Sequence, residues 1–167
     1  PMLGVVLIPE KNELWIAYDK QVWCENRAGD KKNINISQEK VLRDMTLVTS
    51  KNHKNEYLKK LIESINFKKT ISMGSIGCKI SSILRGESDI YISYSSKKGS
   101  SPKDWDFAAP EALLKIGGGK ITDINNQELS YNKAGFTQSG LIIASNNKSN
   151  HELLCIQIKK IIKDNLL

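Results

Sequence analysis

Apolar and polar positions along the chain alternate between short apolar runs and longer amphipathic segments. Residues 2–8 form an apolar run that ends at Pro9 and predicts a buried strand. Residues 13–18 and 21–24 predict two further strands, joined by a tight turn at Asp19-Lys20, and 27–33 reads as a polar loop. Residues 46–49 predict a short strand that feeds the polar turn Ser50-Lys51-Asn52-His53. A helix is expected from about Asn55 to Ser64, because Tyr57, Leu58, Leu61, Ile62 and Ile65 recur at helical spacing. Residues 67–73 are strand-like, and Gly74-Ser75 opens a second helix with Ile76, Ile80, Ile83 and Leu84 on its inner face. Residues 89–94 alternate as a strand, and a Lys/Gly/Ser loop follows over 95–101. A helix over about 104–116 stops at Gly117-Gly118-Gly119. A strand end at 120–123, a turn at Asn125-Asn126, a buried strand at 141–144 and an amphipathic helix over 151–164 complete the pattern. Strands that alternate with helices predict an α/β layered sandwich, with a mostly parallel sheet and helices on both faces. No repeat or linker divides residues 1–167, which read as one unit.

Composition narrows the function classes. At 167 residues, 40% hydrophobic and 26% charged, with four prolines and eleven glycines, the chain is neither disordered nor a disulfide scaffold. No apolar run approaches the ~20 residues of a membrane helix, and residues 2–8 do not read as a signal peptide. The net charge is +7, and of the 25 basic residues only Arg27, Arg43 and Arg85 are arginine. One reading is a Lys-rich solvated surface; the other is attraction to an anion, whether phosphorylated metabolite, nucleic acid or membrane. The pairs Lys68-Lys69, Lys97-Lys98 and Lys159-Lys160 are scattered, and no RNA-reading aromatic motif or zinc-finger spacing occurs, so nucleic acid is not favoured. Cys24, Cys78 and Cys155 show no paired spacing. They imply free thiols in a reducing compartment, hence a cytoplasmic location. With only His53 and His151 as histidines, a bound metal would need carboxylates, which favours a hard ion such as magnesium.

The strongest local signal is the stretch 101–119 followed by Lys120-Ile121-Thr122-Asp123. One reading is purely structural. Ser101 and Asp104 form a capping box with Pro102 at the first helical position, Asp106 sits favourably near the dipole, and the glycines end the helix. The functional reading starts from Ala108, Ala109 and Ala112, which let the helix pack closely. Asp106 then becomes a carboxylate fixed at the mouth of an α/β sheet, suited to a metal ligand beside a phosphate.

This segment resembles the C-terminal signature of the inositol monophosphatase superfamily, magnesium-dependent sugar and nucleotide phosphatases, in which Trp-Asp-x-Ala-Ala, a helix, Gly-Gly and Thr-Asp recur at this spacing. The resemblance runs over nearly the whole chain. Within the superfamily the chain is most similar to the 3'(2'),5'-bisphosphate nucleotidases. The likeness is carried by Trp105-Asp106-Phe107-Ala108-Ala109-Pro110-Glu111, Gly118-Gly119-Lys120-Ile121-Thr122-Asp123, Val48-Thr49-Ser50-Lys51-Asn52-His53 and Met73-Gly74-Ser75-Ile76-Gly77-Cys78-Lys79. It implies the C-terminal half of the sugar-phosphatase fold and removal of the 3'-phosphate of adenosine 3',5'-bisphosphate. Asp106 would be one ligand to Mg2+. Ser50 and His53 would contact the nucleotide or its second phosphate, and Ser75 and Lys79 would form an anion pocket. For each of these a plainer reading stands beside it: a solvated loop histidine, an N-cap serine, a surface lysine. Inositol monophosphatases usually carry a Glu two residues before the double Gly, against the inositol hydroxyls. The aligned residue here is Ile116, which counts against inositol.

The family's other metal ligands, a Glu and the aspartates of an Asp-Pro-(Ile/Leu)-Asp-Gly-Thr segment, have no counterpart in these residues, nor has the acid that polarises the attacking water. The expectation is therefore a chain without the N-terminal metal-binding half, a fragment inactive on its own, with no catalytic residue of its own. The alternatives are an inositol or fructose phosphatase of the same superfamily, and a non-catalytic anion-binding module. The expected partners are a phosphorylated nucleotide or sugar, not a nucleic acid or a membrane.

Overall fold

The computed structural model describes residues 1–34, 36, 39–51, 55–96 and 101–166. Four strands near the N-terminus, β1 (Gly4–Ile8), β2 (Glu13–Tyr18), β3 (Gln21–Asn26) and β4 (Lys31–Asn33), pair in sequence order as an antiparallel meander. Asp19 and Lys20 join β2 to β3 with φ of 47° and 62°, the left-handed conformation that both central positions of a type I′ hairpin need. The stretch expected to be only a loop contains β4. Asn26 Oδ1 accepts from the backbone N–H groups of Ala28 and Asp30, which turns the chain back so that Lys32 lies opposite Cys24.

The second sheet has five strands in the order β6-β5-β7-β9-β8: β6 (Lys69–Met73), β5 (Thr46–Ser50), β7 (Ile90–Ser95), β9 (Gly140–Ser145) and β8 (Lys120–Asp123). Helices α1 (Glu56–Ile65), α2 (Ile76–Leu84) and α3 (Asp104–Ile116) connect β5, β6, β7 and β8, and α4 (His151–Leu166) follows β9. β5 pairs in parallel with β6 and β7, whereas β9 is antiparallel to both β7 and β8. β5, β6, β7 and β8 therefore point the same way and only β9 opposes them. Each helical crossover returns the chain to the starting edge, so the next strand runs the same way. The β8–β9 connection contains no α-helix, so β9 comes back antiparallel between β7 and β8. The layered α/β arrangement with helices on both faces of this sheet is as expected. Beside that sheet, in which four of the five strands run the same way, stands a separate antiparallel meander, which short connections impose on β1–β4.

Period-two alternation splits the second sheet's side chains between two cores. Leu47, Ile90, Ile92, Leu141 and Ile143 face α1 and α4, where Leu58, Leu61, Ile65, Leu154 and Ile158 pack. Val48, Tyr91, Ile121, Ile142 and Ala144 face α2 and α3. The far side of α2 and α3 meets the inner face of the meander through Ile8, Trp15, Ala17 and Val22. The layers thus run α1/α4, five-stranded sheet, α2/α3, meander. The meander's outer face is uncovered among the described residues. Val5 and Leu7 are accordingly 50% and 64% exposed, which corrects the expectation of a wholly buried first strand.

At Gly4 the meander meets α3 with no side chain of its own between them. A Cβ on Gly4 would lie 2.5 Å from the Ala109 carbonyl oxygen and 2.9 Å from Ala112 Cβ. The small residues Ala109 and Ala112 are what the helix packs closely with, as their spacing implied. Trp15 Nε1 and Arg85 both donate to Glu13 Oε2, at 2.9 and 2.7 Å, tying β2 to the end of α2.

His151 is fully buried beneath β8 and β9. Thr122 Oγ1 donates its one proton to the Asp123 carbonyl at 2.7 Å, so His151 Nε2, 2.8 Å away, is the donor to Thr122. With the ring proton on Nε2, Nδ1 is an acceptor, so Ser145 Oγ donates to it at 2.7 Å rather than to the Asn147 carbonyl at 3.3 Å. Burial, helped by the nearby Lys120, pushes the imidazole down to about 4.

Two outcomes follow from these contacts. Gly4→Val is expected to cost about 1–3 kcal/mol, because backbone rather than a movable side chain blocks the new methyls. Urea unfolding checks this, and a loss below about 0.5 kcal/mol would contradict the close approach. The unfolded His151 takes up a proton near pH 6.5 and the folded one only near 4. Its contribution is intact above pH 6.5 and is lost as pH falls through this window, by up to about 3 kcal/mol. Thermal midpoints against pH should show this slope in the native chain and a shallower one in His151→Gln.

Candidate functional site

The C-terminal ends of β5, β6 and β7 meet the N-terminal turns of α2 and α3, and a cavity of about 260 Å³ opens there. This is where open parallel sheets place ligands, since the strand ends diverge and the following helices direct their unpaired N–H groups inward. Ser50, Ser75, Lys79 and Asp106 all line it. Four of the five residues singled out from sequence therefore converge on one space. The fifth, His53, lies outside the described residues, as do Lys97 and Lys98.

Asp106 is the third residue of α3, and its Oδ2 accepts the Lys103 backbone N–H at 2.7 Å. Half of a capping box therefore orients the carboxylate and leaves Oδ1 without a protein partner among the described residues. The expected Ser101–Asp104 box does not form. Lys103 occupies the N-cap, Ser101 Oγ donates to the Ser96 carbonyl, and Asp104 accepts from Gln138 Nε2 and the Asn132 N–H, each at 2.6 Å. These bonds fasten the segment between β8 and β9 against the start of α3. Lys103 Nζ reaches the same segment at Gly135 O and Thr137 Oγ1.

Lys79 is not a surface lysine. It is 1% exposed, its Nζ donates to the Gly74 carbonyl at 2.5 Å, and it lies 5.5 Å from the centre of the Tyr91 ring. Burial pushes it down to about 8, partly offset by Cys78 and Asp106. One of its three N–H bonds is spent on Gly74, so the ammonium retains donors for an anion. Ser75 occupies the N-cap of α2 with extended backbone, but its side chain makes no capping bond. Ser50, the last residue of β5, is mostly buried.

Sequence reasoning missed Tyr91, Ser93 and Ser95, which also line the cavity. They share one face of β7 by their period of two, and small polar residues at the C-terminal end of a buried strand were the available signal. Burial, together with the charge of Asp106, pushes the Tyr91 hydroxyl up to about 12 despite its bond to Ser93.

Among the described residues Asp106 is the only carboxylate lining the cavity, and no group of three His, Cys, Asp or Glu is placed to hold a metal. Oδ1 of Asp106 is a hard oxygen of the kind magnesium prefers, but one such ligand does not make a magnesium site. Ile116 does not line the cavity either. It ends α3, about 15 Å along the axis from Asp106, and packs on the core. Ile116 therefore does not count against inositol, contrary to the expectation from sequence, because its position does not face the site.

A family model described as the inositol monophosphatase family matches residues 1–163. Among curated relatives, a 3'(2'),5'-bisphosphate nucleotidase of Buchnera aphidicola is 33% identical over 143 residues, covering 84% of this chain and 51% of its own length. A mouse 3'(2'),5'-bisphosphate nucleotidase is 28% identical over 123 residues, covering 72% and 38%. The chain therefore spans about half or less of the length of these relatives. Among solved structures, a staphylococcal IMPase-II superposes with a TM-score of 0.74 at 18% identity, over 98% of this chain and 61% of its own. An inositol monophosphatase from Anabaena gives 0.69 at 24%, over 96% and 59%. These two establish the fold.

Replacing Lys79 separates anion binding from stability. Lys79→Met removes a buried charge and is expected to raise the thermal midpoint by about 2–8 °C while abolishing the binding of inorganic phosphate. In the native chain, phosphate affinity should fall as pH rises through about 8, where Lys79 loses its proton. Calorimetric titration and thermal melts of both proteins check this. Unchanged phosphate binding by Lys79→Met would remove the residue from the site.

Proposed function

The chain belongs to the inositol monophosphatase family, and from that premise we propose that it forms the phosphate-holding part of a phosphomonoesterase acting on the 3'-phosphate of adenosine 3',5'-bisphosphate. The observation that carries this is the meeting of Ser50, Ser75, Lys79 and Asp106 in one cavity at the starts of α2 and α3. The names of the curated relatives support the choice of substrate.

In this reading the phosphate sits against the first N–H groups of α2 and the Ser75 hydroxyl, and Lys79 neutralises part of its charge. Ser50, with Ser93 and Ser95 along β7, orients the rest of the substrate by hydrogen bonds. His53 belongs to the same proposal as a nucleotide contact. Asp106 is one metal ligand, its Oδ1 offered to Mg2+ while Oδ2 stays on the Lys103 N–H. A metal ion in such phosphatases polarises the phosphoryl oxygens and activates water. The residues present do not fit a complete ion site. The remaining ligands would be supplied from beyond these 167 residues. The chain is cytoplasmic in this proposal; among the described residues, no helix is long and apolar enough to cross a membrane.

A second reading has one observation in its favour. A cavity with a buried lysine, two helix starts and a single carboxylate is a better anion holder than a metal centre, which fits a binding module without catalysis. Calorimetry with adenosine 3',5'-bisphosphate, with and without magnesium, separates the two, and metal-independent binding of equal strength favours the module.

The 167 residues alone should release phosphate from adenosine 3',5'-bisphosphate and magnesium no faster than buffer. Robust turnover would overturn the single-ligand argument. In a longer chain that carries the remaining ligands, Asp106→Asn should lower kcat by at least about 100-fold. Rates on inositol and fructose phosphates measured alongside decide the substrate.

A further inference from the structure

A larger cavity, about 560 Å³, lies at the opposite end of the five-stranded sheet from Asp106 and shares no lining residue with the site above. It opens between β2 and β3 of the meander, the end of α2 and the turn after β9. Trp15, Ile83 and Leu84 give it an apolar floor.

Four buried side-chain polar atoms lack a hydrogen-bond partner among the described residues, and two of them, Arg85 Nε and Asn146 Oδ1, belong to walls of this one cavity. Asn146 is 4% exposed, and its Nδ2 donates to Asp89 Oδ1 at 3.0 Å. That bond fixes the amide, because turning it over would set its oxygen against the carboxylate. Asn146 Oδ1 is therefore an acceptor that lacks a donor. Arg85 commits its terminal nitrogens to Glu13 at 2.7 Å and Glu87 at 2.8 Å, with the guanidinium 6.0 Å from the centre of the Trp15 ring. Its Nε is a donor that lacks an acceptor. Buried groups left in this state cost free energy until a partner arrives. At the mouth stands the exposed Lys32, opposite Cys24 across the β3–β4 ladder, with no ion pair to a described residue.

We propose that this cavity is a second small-molecule site, for a planar heteroaromatic anion that brings an N–H to Asn146, an acceptor to Arg85 and its negative group to Lys32. A purine nucleoside monophosphate has this chemistry, and the cavity has the size of sites that take such ligands. The ring rests on the apolar floor beside Trp15, and the phosphate remains near solvent.

Cys24 lines the cavity and is partly exposed, whereas Cys78 is partly exposed and lines neither cavity. Alkylation of the chain with iodoacetamide at mildly alkaline pH, read by mass spectrometry at each cysteine, therefore reports occupancy without any measurement of turnover. With AMP present at about ten times its Kd, modification of Cys24 should slow about tenfold and that of Cys78 should not change. Lys32→Glu, a surface substitution, should abolish the protection. Equal Cys24 rates with and without millimolar AMP would overturn the site. So would equal protection by inorganic phosphate alone, or protection that persists in Lys32→Glu. Because the readout is confined to Cys24, it stands or falls separately from the function assigned to the Asp106 cavity.

Discussion

The contact between β1 and α3 is the constraint on which the rest of the molecule depends. Two layers can approach to backbone distance only where side chains are nearly absent, and Gly4 against Ala109 and Ala112 supplies that place. α3 is held between two sheets, with Phe107, Leu113 and Leu114 in the core. Its first turn then has one available position, at the ends of β5 and β7. Gly118, at φ 98°, ends the helix in the left-handed conformation and turns the chain into β8. The location of Asp106 thus follows from a packing requirement about one helical turn away from it.

The cavity at that first turn is an arrangement of unequal charges. Lys79 and two helix starts provide positive potential, and Asp106 provides the single carboxylate. A lysine with 1% exposure whose one bond among the described residues is to a carbonyl is costly in the absence of an anion. Hydrophobic packing around α2 holds it there, since Ile80, Ile83 and Leu84 occupy the core side of the same helix. In the proposed function this local stability is exchanged for a site that receives a phosphate. The opposite end of the sheet shows a similar exchange, with Arg85 and Asn146 each partly satisfied by Glu13 and Asp89 and partly left open.

Much of the fold was legible along the chain. The apolar spacing of α1, α2 and α3 placed these helices to within a residue or two, and the run that became β9 is apolar on both faces, as a strand covered on both sides must be. β4 was hidden because three polar residues carry no periodic signal. It exists because Asn26 folds the chain back onto β3. The reversed direction of β9 was hidden for a different reason. Direction is set by where the chain re-enters the sheet, and no residue within β9 encodes it.

For the site, residue type and position pointed to Asp106, and the resemblance pointed to Ser50, His53, Ser75 and Lys79 and supplied all their roles. Tyr91, Ser93 and Ser95 were passed over because a strand face has no meaning until its neighbours are known. The sequence by itself determined most of the elements, which depend on local periodicity, and its resemblance to the family pointed to the site residues and to the metal ligands these residues lack. Only the tertiary structure decided that Lys79 is buried rather than solvated, that Ile116 does not face the site, and that Asp104 grips the β8–β9 segment instead of capping α3. Burial and hydrogen-bond partners are properties of distant segments brought together, and no local pattern carries them.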